Sequence, residues 1–185
     1  LGFAYLAGFG PAFKIVATVP YTTLHAYNMC PIPLFVLMGV VVGTMGIGEE
    51  LYRVANIWVG QFRGGLTHAT TLACAAMAAI AGSSLPALVT MGKVAIPEME
   101  RYNYHLPTAA AGIASAGTLG VLIPPSTGFI LYSILTNESV AKLFIAGIIP
   151  GILLTLLLMA AISIIYKRNP NLAPSGQKTT FKQKI

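Results

Sequence analysis

Four stretches of this chain, residues 15–48, 64–92, 102–137 and 143–166, contain no Asp, Glu, Lys or Arg. A membrane-crossing helix needs about 20 consecutive apolar residues, so every one of these windows is long enough for a pass. Hydrocarbon restricts what can fill them, because each unpaired peptide group there costs several kcal/mol. Only helices, or irregular backbone shielded by protein or reached by water, survive at that depth. The expected class is therefore an all-α integral membrane protein that meets the bilayer several times. Of all residues 56% are hydrophobic and 9% charged, whereas about 25% are charged in a soluble domain.

The net charge of +6 raises nucleic acid as a partner, but the basic residues stand singly at the edges of apolar windows, without an accompanying aromatic stripe. They read as anchors at a lipid bilayer surface, and no nucleic acid is expected. Enzymatic readings fare no better. All five acids are Glu at segment ends or corners, no Asp is present, and His25, His68 and His105 stand far apart. Ser83 lacks the Gly-x-Ser-x-Gly elbow of a hydrolase nucleophile. Cys30 and Cys74 have neither metal-ligand nor redox spacing, so no cofactor is implied.

Along the chain, residues 1–24 are apolar but interrupted by Gly10-Pro11, Lys14 and Pro20, which suits a partial or interfacial helix. The segment "PLFVLMGVVVGTMGI" (33–47) predicts a compact span. In "GEELYRVANIWVGQFRGG" (48–65), Leu51, Val54, Ala55, Trp58 and Phe62 share one face at helical spacing. That pattern predicts an amphipathic helix along the membrane surface, with Trp58 at headgroup depth. Residues 1–65 thus form a first unit.

Residues 66–136 form a second. An Ala- and Thr-rich arm runs into "GSSLP" (82–86), and another arm follows as far as Pro97. Each is about 14–16 residues, short of the roughly 20 a crossing needs, so the pair reads as a re-entrant hairpin. After it comes "LPTAAAGIASAGTLGVLIPPSTGFILYSIL", a span broken at its centre. A last span precedes Lys167 and Arg168 within residues 137–168, and residues 169–185 have the polar, basic composition of a linker or tail. Arg53, Arg63, Arg101, Lys167 and Arg168 fall on one side of an alternating path, which the positive-inside rule makes cytoplasmic; Lys142 dissents. Lys93 and Arg101 read as anchors at the base of the hairpin.

The break in "GTLGVLIPPST" (117–127) is the chemically informative part. Pro124 and Pro125 remove two N–H donors and free carbonyls one turn earlier, around Gly120 and Val121. Gly117 and Gly120 let another backbone approach closely. Freed carbonyls and hydroxyls are hard oxygen ligands of the kind that hold Na⁺ in broken membrane helices. The Gly82-Ser83-Ser84 tip offers two more hydroxyls, exposed carbonyls and a helix N-terminus that favours an anion.

The segments "IPLFVLMG" (32–39), "GSS" (82–84), "MGKVAIPEMERYNY" (91–104), "GTLGVLIPPST" (117–127) and "LTNESVAKLFIAGIIPGILL" (135–154) resemble the large membrane (permease) subunit of tripartite ATP-independent periplasmic (TRAP) transporters. The resemblance implies a multi-pass protein of the bacterial inner membrane that is half of an inverted-repeat elevator transporter: scaffold helices, a surface arm helix, a re-entrant hairpin and a broken helix. It implies Na⁺ as coupling ion and import of organic acids such as C4-dicarboxylates or sialic acid. The implied partners are a small membrane subunit, a periplasmic substrate-binding protein and a second inverted repeat. This chain resembles the first repeat only, and with Leu1 in place of a starting Met the expectation is a fragment. Carried over by residue, the Na⁺ site falls on Ser83, Ser84, Gly117, Thr118 and Val121. Ser126 and Thr127 face the substrate, and Gly120, Pro124 and Pro125 form the structural break. The competing expectation is a non-transporting membrane scaffold protein from a truncated or split gene.

Overall fold

A computed structural model describes residues 8–24 and 31–173, together with Phe3 and Tyr5. His25, Cys30 and the residues between them, and the tail from 174 onward, lie outside the described residues. All the regular elements described are helical: α1 (Phe9–Leu24), α2 (Pro31–Thr44), α3 (Ile47–Val59), α4 (Gly65–Ala81), α5 (Ser84–Arg101), α6 (Leu106–Gly117), α7 (Leu119–Leu122), α8 (Thr127–Thr136), α9 (Val140–Arg168) and a 3₁₀ turn, Pro170–Leu172.

The α4 helix is the centre, packed against α2, α3, α5, α6, α7 and α9. Its composition explains how one helix touches so many. Ala69, Ala73, Cys74, Ala78 and Ala81 are almost wholly buried, and small side chains let neighbouring helices approach on several sides. Two of its hydroxyls bond within the helix, Thr70 donating to the Leu66 carbonyl at 2.8 Å and Thr71 to that of Thr67 at 3.0 Å.

Among the described residues, only α9, at 29 residues, is by itself long and apolar enough to cross a membrane. It buries one stripe, Gly147, Gly151, Thr155, Ile162 and Tyr166, and leaves Ile145, Ile149, Ile152 and Leu156 exposed on its other faces. Two bent pairs are long enough jointly: α2 with α3, turned through 68°, and α6–α7 with α8, turned through 42°. The α2 helix, expected to span alone, has only 14 residues, about 21 Å at 1.5 Å per residue and short of the roughly 30 Å hydrocarbon layer.

At the 68° bend the chain changes character. The α3 helix buries Gly48, Tyr52, Ala55 and Val59 toward the protein, chiefly against α4. It leaves Val54, Trp58 and, just beyond its end, Phe62 exposed, with Arg53 paired to Glu50. An outward face of aromatic and charged residues suits the interface. The helix stops at Val59, and residues 60–64 make a turn instead of continuing as the sequence reading has it.

The hairpin arms are longer than expected, 17 residues in α4 and 18 in α5, because α5 runs through Pro97 to Arg101. Pro97 removes only one donor, for the Lys93 carbonyl, and does so in the charged part of the helix, where polar surroundings can replace it. The other ends of α4, α5 and α9 meet. The Tyr104 and Tyr166 rings stand edge to face at 6.0 Å, and the Thr67 and Tyr166 hydroxyls bond at 2.9 Å. The Leu66 N–H donates to the Tyr104 oxygen at 3.4 Å. Burial pushes the Tyr104 phenol up to about 12, so it stays neutral. The start of the tail joins this cluster: the His105 N–H donates to the Leu172 carbonyl at 2.9 Å, and Ala173 is buried.

Tyr166→Phe keeps the ring and removes its hydroxyl bond, and is expected to lower unfolding stability in detergent by about 1 kcal/mol. Tyr166→Ala also empties the ring's site and should cost about 3–5 kcal/mol. An SDS titration followed by circular dichroism measures both; equal losses would mean that the hydroxyl pair, not the ring, carries the contact.

Candidate functional site

The hairpin turns at Gly82, whose φ of +62° is the left-handed conformation that glycine adopts without steric cost. Ser83 is extended, and α5 starts at Ser84 with no side-chain cap. The break in the second unit comes up against this turn. The Thr127 N–H, first of α8, donates to the Gly82 carbonyl at 3.0 Å. The Pro125 carbonyl lies so near that a Cβ on Gly82 would sit 2.8 Å from it. On the other side of the turn, a Cβ on Gly120 would be 2.7 Å from the Ser84 nitrogen and 2.8 Å from the Ser83 carbonyl carbon. Hairpin tip and broken helix are thus in backbone contact at two points.

The break itself loosens the hydrogen-bond ladder in steps. The Thr118 N–H donates to Ser115 at 3.2 Å and the Val121 N–H to Thr118 at 3.2 Å. Both bonds are one residue tighter than α-helical, which shifts donors away from the Ala114 and Gly117 carbonyls. Pro124 and Pro125, joined by a cis peptide bond, bring no N–H for Gly120 and Val121. Among these acceptors Val121 is re-satisfied, by the Ser126 hydroxyl. The Ser126 oxygen in turn caps α8, accepting from the Gly128 N–H at 3.1 Å.

Ser84, Gly117, Thr118 and Val121 line one open groove of about 280 Å³, with Leu85, Leu88 and Ala114 as its apolar wall. The Ser84 Oγ is buried and has no hydrogen-bond partner. The Thr118 hydroxyl donates to the Ser115 carbonyl at 2.7 Å, leaving its oxygen lone pairs free to accept. Ser83 is half-buried beside the groove. Electrostatically the site is two-signed: α5 and α8 bring their positive N-terminal ends to the tip, and the α6–α7 segment brings carbonyl ends. Among the described residues no cluster of three or more His, Cys, Asp or Glu side chains gathers to hold a metal. The oxygens near the groove are backbone carbonyls and hydroxyls, hard donors of the kind that suit a monovalent cation.

The remaining sequence-derived site residues lie outside this groove. Ser126 is fully buried with its hydroxyl committed as above, and Thr127 is half-buried, its N–H held by Gly82. Pro124 instead lines an apolar recess with Ile148, Ile152 and Thr155 of α9. Two features have no counterpart in the sequence reading. The Gly82 and Pro125 carbonyls take part in the tip contact, for which no local signal exists. Gly147 and Gly151 leave room for Phe129 and Ile123 to reach α9, since a Cβ there would stand 2.4 Å and 3.0 Å from them. Their Gly-x-x-x-Gly spacing is a readable packing signal.

Residues 1–184 match the family described as "Tripartite ATP-independent periplasmic transporter, DctM component". The chain is 43% identical over 145 residues to the C4-dicarboxylate TRAP transporter large permease protein DctM of Pseudomonas aeruginosa, covering 78% of this chain and 34% of that protein. It is 40% identical over 153 residues to the corresponding Vibrio cholerae protein, covering 80% and 34%. To the sialic acid TRAP transporter permease protein SiaT of Haemophilus influenzae it is 33% identical over 166 residues, covering 87% and 27%. The chain thus spans about a third of the length of these relatives, all of them named as transporter permeases and none as an enzyme. By both the family match and these identities over most of its length, the chain belongs to the DctM component family of TRAP transporters.

Proposed function

We propose that the chain is the first inverted repeat of a TRAP large permease, a Na⁺-coupled secondary transporter of the bacterial inner membrane that imports organic acids. C4-dicarboxylates and sialic acid, which appear in the relatives' names, set the substrate class. A periplasmic binding protein delivers the substrate, and a small membrane subunit and a second repeat complete the machine. One observation carries this reading: the hairpin tip and the helix break meet backbone to backbone, with the unpartnered Ser84 hydroxyl buried beside that contact.

In this reading Ser83, Ser84, Thr118 and the carbonyls of Gly117 and Val121 offer oxygens to the coupling ion. The α5 and α8 N-terminal ends, at Ser84 and Thr127, lie where a substrate carboxylate gains from their positive charge. Ser126 holds the break open in one geometry by bonding both across it and into α8. The tip and the break move as a body because the Thr127–Gly82 bond and the Gly120 contact tie them together. The facing wall comes from the second repeat.

In the complete transporter reconstituted into liposomes, the Ser83→Ala/Ser84→Ala variant should raise the half-saturating Na⁺ concentration for uptake about tenfold, the equivalent of one lost ligand worth about 1.4 kcal/mol. Unchanged Na⁺ dependence removes the serines from the site, and a chain that serves only as a scaffold would show no Na⁺ dependence at all.

Gly120→Ala drives a methyl into the Ser83–Ser84 backbone and is expected to lower the melting temperature and impair uptake together. Gly92→Ala, in a helix with nothing within 4 Å of the added carbon, should be neutral or stabilising by up to about 1 kcal/mol. Thermal unfolding in detergent distinguishes them.

A further inference from the structure

A recess of about 440 Å³ between α3 and the charged part of α5 is lined by Glu49, Tyr52, Arg53, Asn56, Lys93 and Glu98. Two carboxylates, two cations, a phenol and an amide open onto one space. Tyr52 is only 3% exposed, and its hydroxyl is buried close to the Glu98 carboxylate without a hydrogen bond of good geometry. Leaving such a group unsatisfied is unfavourable. Among the described residues Arg53 pairs with Glu50, and Glu49, Lys93 and Glu98 make no ion pair. The Lys93 carbonyl also lacks its α-helical donor, because Pro97 has no N–H.

The depth of this recess follows from its walls. Trp58 is 70% exposed on the same helix as Glu49 and Arg53, and a helix carrying Trp on an outward face beside charged residues lies at headgroup level. Glu98, Glu100 and Arg101 mark the end of α5 at that level too. A mixed-charge cleft there faces molecules that carry both signs on a short stem.

We propose that this recess binds the headgroup of an ethanolamine phospholipid. The ammonium group, with its three N–H donors, meets the Glu49 and Glu98 carboxylates; the phosphate meets Lys93 and Arg53. The Tyr52 hydroxyl, buried beside Glu98, steadies that carboxylate where it meets the ammonium group, and the acyl chains pass into the bilayer. A choline headgroup has no N–H to give the carboxylates, and a glycerol headgroup brings no positive charge to them. Since α5 belongs to the hairpin and α3 does not, the bound lipid bridges the two.

The test uses the purified chain in detergent micelles, with short-chain phosphatidylethanolamine, phosphatidylcholine or phosphatidylglycerol at equal mole fraction. The ethanolamine lipid is expected to raise the melting temperature by about 3–5 °C more than the other two, as ligand binding at about ten times its dissociation constant would. Lys93→Gln and Glu98→Gln should each abolish that increment. Native mass spectrometry should show one retained ethanolamine lipid on the wild type. If either variant fails to fold, Tyr52→Phe, which removes a single oxygen, should still reduce that retention at least threefold. Equal stabilisation by all three lipids, an increment surviving in both charge variants, or retention unaffected by Tyr52→Phe would overturn the proposal. So would an equal effect of soluble glycerophosphoethanolamine, which would assign the recess to a free metabolite. The tip serines lie in a different groove, so this proposal and the coupling-ion reading fail independently.

Discussion

A peptide group deep in a bilayer must find its hydrogen bond inside the protein, and the rest of this architecture follows from where that rule is strained. Two adjacent prolines sever a helix in the middle of an uncharged window, and the loose ends are gathered by a second irregular element. The Gly82 carbonyl accepts the first N–H of α8, while the Ser126 hydroxyl fills the vacancy at Val121. Neither irregularity is tenable alone at that depth; together they share a backbone bond, from Thr127 to Gly82, and leave other oxygens over beside a groove.

Bringing two broken backbones together requires that nothing stand between them, and small residues meet this need throughout. Gly120 lets the tip close on the break, the alanines of α4 let its neighbours crowd around it, and Gly147 and Gly151 let the break lean on α9. Apolar bulk is meanwhile displaced outward, onto the exposed faces of α2, α8 and α9. This inverts the arrangement of a soluble protein, and it follows from a solvent as apolar as leucine: burying large side chains gains little, so close packing decides which surfaces meet.

Much of this was legible in the residues, for physical reasons. Charge-free windows bounded by single Lys and Arg place α9 well, since length and polarity are one-dimensional properties. Gly-Ser-Ser and Pro-Pro mark the interruptions because backbone chemistry acts locally. Boundaries fared worse: α5 runs on through Pro97, since a lost donor is tolerable among charges, and α2 is shorter than a span. The pairing of the two interruptions was reached only through the family resemblance, and the bond that makes it was not visible, because a carbonyl at Gly82 and an N–H at Thr127 leave no trace in composition. The commitment of the Ser126 hydroxyl to its own break was hidden for the same reason. The family resemblance, by contrast, rested on motif order, which survives without any geometry.

The bond between His105 and Leu172 bears on the route the polypeptide takes as it leaves α9. It does not set out from the foot of that long rod but is moored first at the corner joining α5 to α6. A tug on the strand beyond Ala173 would therefore be felt at the hairpin's root before it reached the rod, and any shift of the root would drag the strand's point of departure with it.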